Sequence, residues 1–229
     1  MDFIRNTVLW FGRIFPEAFA RQLADPSGLL AGPSGMLLDR TDIDMKTAAI
    51  ELLDLYPSDH VLEIGVAGGG TLAALAERVP QGVVAGMESS DTFAQRARVR
   101  FRREIAAGRM DISSGNVTRI PVDDASFDRA LSIHAIYFWD DPLDALEEIR
   151  RVLKPGGRLL LGTGDKREMD ELPWVQHGLR TFEEQELQHL LRSAGFDGLR
   201  HERGEGTIFH FSLFQATKPD KLAGDSSAV

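Results

Sequence analysis

Cysteine is absent from this chain, so disulfides, thiolate nucleophiles, zinc fingers and cysteine-ligated clusters are excluded, and any chemistry must use oxygen or nitrogen groups. The six histidines form no H-x-x-H or H-E-x-x-H arrangement, so no metal site is expected. No apolar stretch approaches the roughly 20 residues that a spanning helix needs, and no stable membrane insertion is expected. Thr7 to Gly12 is largely apolar, but Arg13, Pro16 and Glu17 interrupt the run before it reaches signal-peptide length. A cytoplasmic location follows as an expectation. Basic residues are in deficit, 26 against 35 acidic ones, for a formal charge of −9. That balance opposes attraction to a phosphate backbone and argues against a nucleic-acid partner. The run Arg96, Arg98, Arg100, Arg102 and Arg103 has no aromatic interleaving, and reads as a solvated helix face.

What is present is the composition of an ordinary globular protein, 43% hydrophobic and 27% charged over 229 residues, enough for one substantial core. Ile4, Val8, Phe11 and Phe15 recur at helical spacing, and Pro16 should break that helix. A second short helix, 17–24, runs into the turn clusters Asp25-Pro26-Ser27-Gly28 and Gly32-Pro33-Ser34-Gly35. Residues 1–40 therefore read as a helical cap or lid, 41–218 as the main domain and 219–229 as a disordered tail. After a helix within 42–55, strand and helix signals alternate: strand 60–64, helix 71–78, strand 83–87, helix 91–107, strand 110–112, strand 128–133, helix 143–153 and strand 158–162. Pro155-Gly156-Gly157 is expected as the turn before that last strand. A capping box at Thr181-Phe182-Glu183-Glu184 should open a helix ending at Gly195, followed by strands near 199–203 and 207–217. Such alternation calls for an α/β fold with a mostly parallel sheet and helices on both faces.

The first strand ends in Glu63-Ile64-Gly65 and passes through Ala67, Gly68, Gly69 and Gly70 into a helix, so a ligand can approach bare backbone at a helix N-terminus. About twenty residues on, Glu88 closes the second strand, where an acid accepts hydrogen bonds from ribose hydroxyls. Loop and acid together indicate an adenosine-bearing cofactor. They leave nicotinamide dinucleotides open, although Gly65, Ala67 and Gly70 fill G-x-G-x-x-G only imperfectly.

Four ordered blocks narrow the choice: V-L-E-I-G-V-A-G-G-G (61–70), G-M-E-S-S (86–90), I-P-V-D-D-A-S-F-D (120–128) and R-V-L-K-P-G-G-R (151–158). With them the chain resembles the class I S-adenosylmethionine-dependent methyltransferases of the small-molecule, type 11 kind. The resemblance implies a Rossmann-like seven-stranded sheet in the order 3-2-1-4-5-7-6, its last strand antiparallel. It also implies that Glu63, Gly65 and Gly69, with Ala67 in place of the usual middle glycine, line the methionine end of S-adenosyl-L-methionine. Glu88 with Ser89 would meet its ribose, and Asn116 with Val117 its adenine. An aspartate is common at the position of Asn116, so here the amide oxygen would have to accept from the adenine amino group.

His134 falls just after the fourth strand, where this architecture brings nucleophile and cofactor together, and is read as a cofactor contact and as a candidate base. Tyr137 is the second candidate catalytic residue. Phe11, Trp139, Asp165, Trp174 and His177 are candidate pocket residues for the acceptor, although Asp165 reads equally as a helix cap. The expected activity is methyl transfer to oxygen, nitrogen or carbon of a small, largely apolar molecule, with a homodimer left open. Two alternatives stand beside it. One is a non-catalytic S-adenosyl-binding protein docking a partner or lipid surface through its N-terminal aromatics; the other is a nicotinamide-dependent oxidoreductase.

Overall fold

The computed structural model describes residues 2–24, 42–207 and 209–220, with residues 2–5, 8, 11, 23 and 24 described by their backbone only. The two turn clusters of the expected lid, most of the expected tail and the side chain of Phe11 thus lie outside the described residues.

Helices α1 (Asp2–Ile14) and α2 (Pro16–Ala24) come first, with Pro16 starting the second helix, where its missing N–H costs nothing. Helix α3 (Ile43–Leu52) leads to β1 (His60–Ile64), α4 (Gly70–Arg78) and β2 (Val83–Glu88). Then follow α5 (Asp91–Arg100), α6 (Arg102–Ala106), β3 (Met110–Ser114), β4 (Phe127–Ile133), α7 (Pro142–Val152) and β5 (Leu153–Gly164). The chain continues through α8 (Lys166–Asp170), α9 (Glu184–Ser193), β6 (Asp197–Glu205) and β7 (His210–Thr217).

The strands form one seven-stranded sheet in the order β3-β2-β1-β4-β5-β7-β6. Strand β1 pairs in parallel with both β2 and β4, while β7 runs antiparallel between β5 and β6. The expected order and the reversed last strand are what the sheet has. Its central strands are buried on both faces, which is why they read as nearly continuous apolar runs. Leu62, Ile64, Leu159 and Leu161 face a layer built with α7 and α9. Val61, Leu131 and Leu160 face the layer of α3, α4 and α5.

Three local expectations need correction. The helix expected over 91–107 divides at Phe101, whose buried ring packs under the glycine loop, 2.7 Å from where a Gly69 side chain would begin. Pro155-Gly156-Gly157 lies inside β5 as an irregularity, since Phe127 pairs with Leu153 and the ladder resumes with Arg129 opposite Arg158. Gly156 takes a left-handed φ of +72° there and its N–H donates to the Lys218 carbonyl at 2.9 Å; a β-carbon would strain that conformation. The capping box does not form: the Thr181 hydroxyl donates to Asp170 Oδ1 at 2.6 Å and accepts from Lys166 Nζ at 3.1 Å, and α9 starts only at Glu184. A hydroxyl claimed by that ion pair is lost to the helix end.

Arg151 shows why two of the sequence blocks belong together. Its guanidinium donates to the carbonyls of Ile120 and Val122 and to the carboxylates of Glu148 and Asp124, at 2.7–3.0 Å. These bonds fasten the 120–124 loop to α7. The Arg151 hydrogen bonds hold the Glu148 carboxyl below its ordinary 4.5, against some desolvation, and the Ile120 N–H adds to the effect. A depressed carboxyl stabilises the fold fully above its unfolded pKa and loses that contribution as pH falls through the folded one. Glu148→Gln is therefore expected to flatten the dependence of melting temperature on pH below about 4.5, the ordinary glutamate range. An unchanged acid limb would show that the cross-link contributes nothing.

Candidate functional site

Parallel strands β2 and β4 leave β1 on opposite sides, and the crevice between their carboxyl ends is where open α/β sheets bind ligands. A cavity of about 400 Å³ opens there. Its floor is the turn after β1. Gly65 adopts φ +87°, and a β-carbon on it would lie 2.8 Å from that of Ala135. Ala67 is held at φ +47°, a conformation that costs an L-residue roughly 1–2 kcal/mol. What holds it is Glu88. This buried carboxylate accepts from the Ala67 N–H at 2.9 Å through one oxygen, and from the Ser90 N–H at 3.0 Å and the Ser89 hydroxyl at 3.3 Å through the other. The acid at the end of β2 is thus a strut for the loop as well as a wall of the cavity.

Of the residues expected to meet a cofactor, Glu63, Gly65, Ala67, Glu88, Ser89, Asn116, Val117 and His134 all line this one cavity. Gly69 does not: it is the left-handed residue before α4 (φ +79°), packed on the Phe101 ring, so its absent side chain serves the turn. The Asn116 amide oxygen accepts from the Thr118 N–H at 2.9 Å, leaving one lone pair for any ligand donor.

The other end of the cavity is apolar. Trp139 and Trp174 line it, joined by Phe19 of α2, Phe138, Leu172 and Phe209. Phe19 meets Trp174 edge-on, with ring centroids 4.9 Å apart. Asp165 and His177 are not on its wall. Asp165 caps α8, accepting from the N–H groups of Arg167 and Glu168 at 3.0 and 3.3 Å, and His177 is exposed at the end of a short 3-10 turn. Both expectations for the acceptor pocket are corrected accordingly.

Between the two ends sits His134. Its N–H continues the β4–β5 ladder to the Gly162 carbonyl at 2.9 Å, and its φ is +58°. Nδ1 lies 3.0 Å from the Tyr137 hydroxyl, which also accepts from the Gly164 N–H at 2.6 Å. Burial holds the Tyr137 phenol well above its ordinary range, with the nearby Asp42 charge adding to the shift and the Gly164 hydrogen bond opposing it. Tyr137 is thus a neutral hydroxyl and is unavailable as a phenolate base. Asp42, immediately before α3, brings Oδ1 to 3.5 Å from His134 Nε2. Asp42, Lys46, Phe19 and Phe209 were not expected at the site. The signal available for Asp42 was its place just ahead of an amphipathic stretch, and no sequence spacing ties it to His134.

The residues present suit an adenosine sulfonium. Bare loop backbone and the buried Glu88 carboxylate line one end of the cavity, and Asp42, Glu63, Glu88 and Asp140 against Lys46 make its walls predominantly anionic, which favours a cationic ligand. Among the described residues no group of side chains could hold a metal ion, and no helix is long and apolar enough to cross a membrane.

Residues 62–161 match a family described as a methyltransferase domain. The chain is 36% identical over 121 residues to a Streptomyces fradiae transposon protein, covering 52% of this chain and 34% of that one. It is 31% identical over 144 residues to the O-methyltransferase cnsE of Penicillium expansum, covering 60% and 52%. It thus spans between a third and about half the length of these curated relatives. Among solved structures, it resembles a Thermotoga maritima SAM-dependent methyltransferase, described as a possible histamine N-methyltransferase. The TM-score is 0.62 and the identity 26%, over 81% of this chain and 93% of that one.

Proposed function

We propose, from the premise that residues 62–161 are a methyltransferase domain on the class I S-adenosylmethionine-dependent fold, that this protein methylates oxygen, nitrogen or carbon of a small, largely apolar molecule. The observation that carries the reading is a single cavity with a polar, acid-walled end at the glycine loop and an aromatic end at Trp139 and Trp174. S-adenosylmethionine supplies a methyl group already activated as a sulfonium. The protein's share of the work is alignment of acceptor, methyl and sulfur, and exclusion of water.

In this reading the Glu88 carboxylate takes the ribose hydroxyls while its second interaction keeps the Ala67 turn in shape. Gly65 and Ala67 offer backbone to the methionine end near Glu63, and Val117 packs on the adenine beside Asn116. Phe19 of α2 and Trp174 close over the acceptor. Gly12 of α1 supports that closure, since a β-carbon there would run into the Trp174 ring at 2.2 Å. Helices α1 and α2 act as the cap of the acceptor site.

The test is a thermal-shift titration. S-adenosylmethionine and S-adenosylhomocysteine are expected to raise the melting temperature with increasing concentration, because a ligand of the native state stabilises it by mass action, and NAD is not. No shift with either S-adenosyl ligand sinks the proposal. A non-catalytic binding role has one observation in its favour, the exposed Trp10, Ile14 and Phe15 on and just after α1. Release of S-adenosylhomocysteine during incubation of labelled cofactor with cell extract separates turnover from binding alone.

A further inference from the structure

Helix α5 is tied to the glycine loop at both of its ends. At its start the Ser90 N–H donates to Glu88 Oε1 at 3.0 Å, and the Ser90 hydroxyl caps the helix by accepting from the Phe93 N–H at 3.4 Å. The same carboxylate, through its other oxygen, accepts from the Ala67 N–H of the loop. About 15 Å further along its axis the helix ends at Arg100, and Phe101 turns off it with φ −101° and ψ 23°. There the Arg100 guanidinium donates to the Gly68 carbonyl and lies over the Phe101 ring, 5.1 Å from its centroid. That ring is buried and stands 2.7 Å from where a Gly69 β-carbon would be. One arginine of the run that reads as a solvated face is therefore engaged with the loop.

The loop needs such support. Gly65, Ala67 and Gly69 all have left-handed φ, at +87°, +47° and +79°, and a non-glycine residue stays in that region only where its surroundings hold it. Glu88, on the cavity wall, holds the loop by the Ala67 N–H. Arg100 holds it by the Gly68 carbonyl from outside the cavity, whose lining includes neither Arg100 nor Phe101. We infer that Arg100 and Phe101 are positioning residues for the cofactor, setting the backbone of Gly65 to Gly69 in the shape that the methionine end of the cofactor meets. This role rests on the methyl-transfer reading. A guanidinium suits it, because its planar fork stacks on the ring while one N–H reaches the carbonyl, a combination that an ammonium does not reproduce. Glu88 and Arg100 hold neighbouring groups of one loop and are joined by one helix. Loss of either frees the same backbone, so their effects on cofactor affinity should overlap and not multiply.

Calorimetry with S-adenosylhomocysteine on the full chain tests this role. Arg100→Met is expected to weaken binding about tenfold, the worth of one charge-assisted hydrogen bond, while the ligand-free melting temperature falls by less than about 3 °C. Arg100→Lys, which keeps the charge and loses the stack, should bind with an affinity between those of Arg100→Met and the parent. Arg96→Met removes the same charge from an exposed position on the same helix and should bind like the parent. Added to Glu88→Gln, Arg100→Met should cost less than about threefold further, because the loop is already released. An affinity of Arg100→Met within about twofold of the parent overturns the proposal, even where the melting temperature falls, since that pattern belongs to a purely structural contact. An equal loss in Arg96→Met overturns it as well, by tracing the effect to net charge. So does an undiminished loss on top of Glu88→Gln, which would make the two residues independent. Failure of the parent to bind S-adenosylhomocysteine refutes methyl transfer itself, whereas a binding parent beside an unaffected Arg100→Met refutes only the positioning role.

Discussion

Glu88→Ala is expected to weaken S-adenosylhomocysteine binding at least tenfold, about 1.5–3 kcal/mol for a lost charge-assisted hydrogen-bond acceptor. Two losses add. On the proposed reading the ribose hydroxyls would lose their acid, and the Ala67 and Ser90 N–H groups lose the two carboxylate oxygens to which they donate, one each. The second loss matters because Ala67 sits at φ +47°, and without its bond to Glu88 the turn loses a contact that holds this unfavourable conformation. Glu88→Gln separates the two effects. Its amide oxygen can still accept from one N–H but carries no charge, so it should retain more affinity than alanine. Isothermal calorimetry reads both variants, and an affinity within twofold of the parent for Glu88→Ala would remove Glu88 from the site.

The largest effect on stability is expected at Arg129, on β4. Its buried guanidinium donates to the carbonyls of Leu53 at 3.0 Å, Asp54 at 3.1 Å and Asp128 at 3.0 Å, and lies 3.6 Å from the buried Asp59 carboxylate. It pins the connection between α3 and β1 to the centre of the sheet. Arg129→Met preserves much of the volume but takes the guanidinium from Asp59 and from three carbonyls. Removing one partner of a buried ion pair costs about 3–5 kcal/mol, and urea unfolding should report a loss of that size. A loss under about 1 kcal/mol would mean that water replaces the guanidinium freely. Because α3 carries Lys46 and follows Asp42, the same variant should loosen one wall of the cavity.

Both predictions concern residues of unequal visibility in the sequence. Glu88 could be read from its distance to the glycine loop, because a strand, a helix and a strand fix the span between them. The first strand, 60–64, was legible to the residue, since its apolar run is bounded by Pro57-Ser58-Asp59 and by Gly65. The failures are places where a side chain chose a partner remote in sequence. Thr181 bonds to Asp170 and Lys166 in place of its own helix end, and the helix divides at Phe101, whose ring packs against the glycine loop. Asp165 and His177 looked like pocket residues only because they follow strand β5. The Asp42–His134–Tyr137 chain was half visible: His134 and Tyr137 lie three residues apart, whereas Asp42 comes from the segment just before α3, by a route that no local pattern records.

The reversed seventh strand also bears on how the chain assembles during synthesis. Strands β1 to β5 can zip together as they are made, each finding an earlier neighbour. Strand β6 cannot, because among the described residues its one partner in the sheet is β7, which leaves the ribosome after it. Until then the open edge of β5 and the whole of β6 are unpaired, and exposed strand edges invite pairing with other chains. Strand β7 is therefore the one that joins β6 to the sheet, and a nascent chain stalled just short of it would carry an intact glycine loop beside unpaired strand edges.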